Sequence, residues 1–159
     1  MTQDFADFLA ALNSEGAAYV VIGGMAVLAH VPGRTTRDID VLIEPTLANA
    51  ERVRAAVREW GGFEPMFAAA DFISGDILSF GGLLRIEIHS NTPGAQWAEV
   101  WRRKVAGELR GVPAHFASVE DLIAMKEATG RRSKDLPDVR RLRKLLERVK
   151  SPGRGPKPR

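Results

Sequence analysis

An α+β fold, a mixed β-sheet flanked by helices with further helices at the C-terminus, is predicted by three observations on this 159-residue sequence. Apolar residues first recur at helical spacing, as Phe5, Phe8, Leu9 and Leu12. Short β-rich runs then alternate with helical stretches in the order αβαβα, and several further strands precede the C-terminal helical patterns. Runs of strands that do not alternate strictly with helices point to a mixed rather than an all-parallel sheet.

Taken in order, the first helix stops at Asn13-Ser-Glu-Gly16, and Ala17 to Ile22 reads as a buried strand ended by Gly23-Gly24. Met25 to Val31 is apolar without β alternation and halts at Pro32-Gly33, which predicts a short helix directly after the glycine pair. Thr36 to Glu44 is a second strand closed by Pro45, and Leu47 to Trp60 is an amphipathic helix capped by Gly61-Gly62. Three strands are expected around Phe63–Ala68, Phe72–Phe80 and Leu84–His89, then a helical turn over Trp97 to Trp101. Val105–Leu109 and Val112–Phe116 around Arg110-Gly111 predict a hairpin. Ser118 is a good N-cap, with Asp121 three residues on, for a helix over Val119 to Thr129. A last helix is expected from about Lys134 to Val149, with Leu136, Val139, Leu142, Leu145 and Leu146 as its apolar stripe. One domain over 1–149 results, and the basic segment 150–159 has too little to bury and is expected to be disordered.

The composition is that of a soluble globular domain, 45% hydrophobic and 27% charged. The absence of cysteine excludes disulfides, thiolate nucleophiles and Cys-based zinc sites together. Acids near the N-terminus, where a signal peptide carries positive charge, and the lack of a long apolar run lead us to expect a cytoplasmic protein without a membrane span. From Arg131 onward there are 12 Lys/Arg against 3 Asp/Glu, a local charge of +9, within a chain whose net charge is +3. Such a segment suits either a polyanion such as RNA or a solvated helix with a solubilising tail.

The chemistry is concentrated in Arg34-Thr-Thr-Arg-Asp-Ile-Asp-Val41. On a strand, Asp38 and Asp40 project from one face, and two carboxylates that close favour a hard divalent cation between them. A Gly-Gly turn between strand and helix lets backbone approach a ligand and aims free N–H groups at it, as phosphate binding requires. Glycine pair plus carboxylate pair points to a nucleotide with its metal. A second alternating strand, Leu84-Arg-Ile-Glu-Ile-His89, puts Arg85, Glu87 and His89 on one face and the isoleucines on the other.

Gly23-Gly24 followed by Arg34-x-Thr36-x-Asp38-x-Asp40-Val41 resembles the DNA polymerase β-like nucleotidyltransferase superfamily. Within it, the small stand-alone members are closest in character, namely the AbiEii-type toxins of toxin–antitoxin pairs and the minimal lincosamide nucleotidyltransferases. The resemblance spans roughly Phe5 to Leu146. It departs in Gly-Gly where many relatives have Gly-Ser, and in Glu87 where relatives usually have Asp. It implies an enzyme that uses Mg²⁺ or Mn²⁺ and a nucleoside triphosphate to move a nucleoside monophosphate onto a hydroxyl acceptor. Asp38, Asp40 and Glu87 are its expected catalytic and metal-holding carboxylates. Gly23, Gly24, Arg34, Thr36, Arg37, Lys126 and Asp135 are its expected nucleotide-binding residues. Asp135 serves equally as a helix N-cap with Asp138 at N3. The acceptor is either RNA, such as tRNA 3′ ends met through the basic segment, or a small molecule such as an antibiotic. A cognate antitoxin or a second copy of the chain are the expected protein partners. The alternative is a catalytically degenerate member that binds nucleotide, RNA or a partner without turnover. His30 and the three tryptophans are read as packing residues, and His89 is left without a role.

Overall fold

Phe5–Ser14 (α1), Tyr19–Ile22 (β1), Gly23–His30 (α2), Asp38–Ile43 (β2) and Leu47–Gly61 (α3) follow one another in the computed structural model. It describes residues 4–31, 36–129 and 132–150, with side chains described for all of these except 132–136, 149 and 150. After a 3₁₀ helix at Ala69–Ile73 come Leu78–Gly81 (β3), Arg85–His89 (β4), Trp97–Arg102 (α4), Val105–Leu109 (β5), Val112–Phe116 (β6), Val119–Ala128 (α5) and Arg132–Lys150 (α6). The strands form one mixed sheet in the order β3-β4-β2-β1-β6-β5. The α+β expectation is met, and no helix among the described residues is long and apolar enough to cross a membrane.

The sheet is mixed because β1 runs antiparallel to β2 but parallel to β6, while β2 runs parallel to β4. The inner strands carry the core. Val20, Val21, Ile39, Val41, Ile43, Ile86 and Ile88 are fully buried, whereas edge strand β5 is exposed along nearly its whole length. The hairpin falls where Arg110-Gly111 places it, since both residues have positive φ (50° and 82°) and so make the turn that matches strand twist.

Caps were legible too. Ser118 Oγ accepts from the Asp121 N–H at 3.1 Å, Thr46 does the same for Asn49 at 3.3 Å, and Gly62 ends α3 at φ 67°. Val31 is extended after α2 (φ −129°, ψ 104°), as a residue before proline should be.

Three expectations fail. Phe63–Ala68 forms no strand, because the Arg54 guanidinium takes the carbonyls of Phe67 (2.7 Å) and Pro65 (2.9 Å) that a neighbouring strand would use. Of Phe72–Phe80 only the last residues are β. Phe72 sits in the 3₁₀ helix and stacks on Phe80 at 6.0 Å, and Gly75 at φ 99° breaks the run between them. Asp135 is no N-cap: α6 starts at Arg132, which puts Asp135 inside the helix. The expected disordered tail, apart from Lys150, lies outside the described residues.

Tyr19, the only tyrosine, provides a probe of the buried sheet. Its hydroxyl donates to Asn13 Oδ1 at 2.9 Å, and burial pushes the phenol up to about 12 against the opposing pull of its hydrogen bonds. Its stabilising contribution is therefore complete below pH 10, the ordinary tyrosine value, and is lost as pH rises through about 12. We expect phenolate absorbance to rise with a midpoint near 12, together with unfolding; an ordinary midpoint with the fold intact would refute this burial.

Candidate functional site

β2 and β4 lie side by side in a register that pairs Asp38 with Arg85, Asp40 with Glu87 and Leu42 with His89. Strand alternation turns the polar members to one face, while Ile39, Val41, Ile86 and Ile88 pack into the core behind them. The apolar pattern thereby fixes the face on which the carboxylates stand, because a slip of one residue would bury them.

Asp40, Glu87 and His89 each offer a ligand atom within 4.8 Å of the other two. His89 Nε2 lies 2.9 Å from Asp40 Oδ1 and 4.0 Å from Glu87 Oε2. All three side chains are mostly covered, being 13% (His89), 18% (Asp40) and 25% (Glu87) exposed. Asp38 stands two residues along the same face at the rim, with its carboxylate 3.7 Å from Arg85 Nε. Arg85 also approaches Glu87, at 3.9 Å through Nη1. Both are long ion pairs to a half-exposed arginine and carry little energetic weight. The structure thus joins Asp40 to Glu87 and places Asp38 alongside, outside the tight trio.

The charges respond to this crowding. Burial pushes the Asp40 carboxyl up, but hydrogen bonds to His89 and Glu87 and the nearby charges of His89 and Lys126 outweigh it and hold Asp40 below its usual range. Glu87 moves the other way, to about 7, through its hydrogen bond to Asp40, then burial and the Asp40 charge. One proton is held between two carboxylates, as repulsion at close range demands. A divalent ion takes the place of such a proton, and two carboxylates with an imidazole are a donor set that fits one.

The Glu87 shift makes a prediction that involves no ligand. Its ordinary value is 4.5 and its folded value about 7, so the stability this group contributes is complete below 4.5 and is lost as pH rises through 7. Melting temperature should drop between about pH 5 and about pH 8. Glu87→Gln, which cannot ionise, should flatten that slope; an unchanged slope would rule out the shared proton.

Gly23 brings α2 against the carboxylates. It sits at φ 66°, and a Cβ there would lie 2.6 Å from Asp40 Oδ2. Gly24 continues into the first turn of α2. Lys126, on α5, is the cation that reaches inward: its side chain is 10% exposed, its charge acts on Asp40, and its Nζ lies 3.2 Å from Asp138 Oδ2 on α6. Thr36 spends its hydroxyl on the Asp38 backbone, donating to the carbonyl (3.0 Å) and accepting from the N–H (3.2 Å), which pins the start of β2. Arg37 is exposed beside the rim. Arg34, and the side chain of Asp135, lie outside the described residues.

Two residues escaped the sequence reading. His89 belongs to the trio, and the signal was its i+2 spacing from Glu87 on an alternating strand. Asp138, only 1% exposed, orients Lys126 through the 3.2 Å ion pair between α5 and α6. Its signal was a carboxylate falling in line with the apolar stripe, four residues before Leu142. Beyond Leu42 and Ser90, on the site's side of the sheet, a cleft of about 740 Å³ opens, lined also by Asn91, Gln96, Trp97 and Arg103. Trp97 and Trp101 stack on each other at 5.1 Å, and His30 Nε2 is 2.9 Å from the Ala117 carbonyl oxygen, so these are packing residues as expected.

Comparison with protein-family models yields no matching family, and comparison with curated proteins yields no similar sequence.

Proposed function

We propose that this protein is a divalent-metal-dependent nucleotidyltransferase that moves a nucleoside monophosphate from a nucleoside triphosphate to a hydroxyl acceptor. The observation that carries the reading is the β2–β4 register, which sets Asp40 against Glu87 with Asp38 on the same face. The Gly23 approach, the inward Lys126 and the sequence resemblance to polymerase β-like nucleotidyltransferases support it.

Asp38, Asp40 and Glu87 would hold Mg²⁺ or Mn²⁺, which when bound neutralises triphosphate charge and polarises the reacting phosphoryl group. The chain's own residues do the rest. The first turn of α2 offers backbone N–H groups to phosphate oxygens, and Lys126, fixed by Asp138, adds positive charge. The acceptor hydroxyl attacks the α-phosphorus, the bond to pyrophosphate breaks, and the hydroxyl proton passes to the Glu87 carboxylate. The adjacent cleft has room for base or acceptor.

RNA is the favoured acceptor, because Arg140, Arg141, Arg143, Lys144 and Arg148 all stand exposed on α6. Acceptor binding that weakens steeply with salt would support RNA over an antibiotic-like small molecule. A second reading, a binding module without turnover, draws on the 2.9 Å His89–Asp40 contact, by which the protein itself satisfies the central carboxylate.

Incubation with α-labelled triphosphates, Mg²⁺ or Mn²⁺ and pools of RNA or small hydroxyl compounds tests the proposal. Label should reach an acceptor, and Asp38→Ala and Asp40→Ala should abolish the transfer. Label that persists in both variants would sink the assignment, and binding without transfer for all four triphosphates would favour the second reading.

A further inference from the structure

We infer that Asp40, Glu87 and His89 form a three-ligand site for a first-row transition ion, with His89 a direct ligand through Nε2 and Zn²⁺ bound ahead of Mg²⁺. This goes beyond nucleotidyl transfer in that it requires no triphosphate, although it uses two of the same carboxylates.

Geometry supports it. Ligand bonds of about 2.1 Å in a tetrahedral arrangement put ligand atoms about 3.4 Å apart. The His89 Nε2 separations, 2.9 Å to Asp40 and 4.0 Å to Glu87, bracket that value. The three residues stand on adjacent positions of two paired strands, so the backbone holds their spacing without a loop that must order first.

Chemistry decides the ion. Imidazole is a ligand for zinc, iron, nickel and copper and a poor one for Mg²⁺, which keeps its waters and prefers oxygen alone. Two carboxylates and one neutral imidazole also balance a divalent charge. Three protein ligands leave a fourth position open, the pattern of zinc sites that do chemistry rather than stitch a fold. Mostly covered side chains above a floor of Ile39, Val41, Ile86 and Ile88 lower the local dielectric and strengthen each ligand bond. The apolar floor and the ligand row are two sides of one strand alternation.

The test is Zn²⁺ binding by the full chain, stripped with a chelator and kept free of nucleotide. Competition against a chromophoric chelator should give one Zn²⁺ per chain, retained in about a thousandfold excess of Mg²⁺. Loss of a residue that merely supports a ligand costs about 10–100-fold in affinity, so His89→Ala should cost at least about 100-fold. Glu87→Gln, which keeps side-chain volume, should weaken binding as well, and His30→Gln should not. X-ray absorption at the zinc edge of the wild-type protein should show a single imidazole, a readout that does not depend on any variant folding. Wild-type affinity in His89→Ala, displacement of Zn²⁺ by equimolar Mg²⁺, or an absorption spectrum without imidazole would each overturn the inference. Zn²⁺ bound in this way by a protein that transfers no label would leave the inference standing and remove nucleotidyl transfer. Transfer with Mg²⁺ and no His89-dependent Zn²⁺ binding would do the reverse.

Discussion

Asp40→Asn should lower nucleotidyl transfer by about a thousandfold, an increase in barrier of about 4 kcal/mol. Asn has the shape of Asp and keeps an oxygen for His89, so the fold should survive while the charge is lost. That charge is central. Asp40 is the carboxylate that both His89 and Glu87 touch, and it is held ionised below its usual range while Glu87 keeps the proton. Asp38→Asn should cost less, because Asp38 sits at the rim, 45% exposed, with Arg85 as a loose companion. The variant also carries an internal check. With the Asp40 charge gone, the main causes that raise Glu87 go with it, and the stability slope expected from Glu87 should flatten just as it does in Glu87→Gln. Transfer within about tenfold of wild type, measured with labelled triphosphate and an acceptor, would remove Asp40 from the chemistry.

Gly23→Ala should damage fold and site together. A non-glycine residue at φ 66° costs about 1–2 kcal/mol, and the new Cβ would stand 2.6 Å from Asp40 Oδ2, so the carboxylate or the start of α2 must move. Together these should cost about 2–3 kcal/mol, lowering the melting temperature by about 4–12 °C in a chain of this size. Gly62→Ala separates the two effects. It has the same strain at φ 67°, but nothing lies within 4 Å of its Cβ. Gly62→Ala should therefore show the backbone cost alone and leave divalent-ion binding intact, whereas Gly23→Ala should lose it. If the two variants melt and bind alike, the close approach of Gly23 to Asp40 has no functional weight.

Local signals made most of this legible. The strands expected over Thr36–Glu44 and Leu84–His89 contain both site strands, alternation across Asp38-Ile-Asp40 and Arg85–His89 gave the faces of their carboxylates, and caps such as Ser118 and Gly62 marked helix ends. The failures were tertiary. Nothing near Phe63–Ala68 announces that Arg54 will take its carbonyls. No local pattern puts Asp138 against Lys126, since that pairing depends on how α5 and α6 pack. Nor does a tripeptide reveal that Asp38 stands at the rim while Asp40 meets Glu87 and His89. That distinction arises only when β2 and β4 take their register, and it moves the centre of the site from the Asp38–Asp40 pair to the Asp40–Glu87–His89 trio.

The parallel pairing of β2 with β4 also bears on how the protein assembles. Parallel neighbours cannot be joined by a tight turn, so α3, the 3₁₀ helix and β3 must all be threaded before Asp40 meets Glu87. Closing that loop is among the most entropically demanding steps in the chain's folding, and it is the same step that forces two carboxylates together. The apolar rows behind them must supply the drive for both. A molecule whose trio is assembled has already completed the long-range pairing of β2 with β4, so chemical competence here reports on the maturity of that half of the sheet.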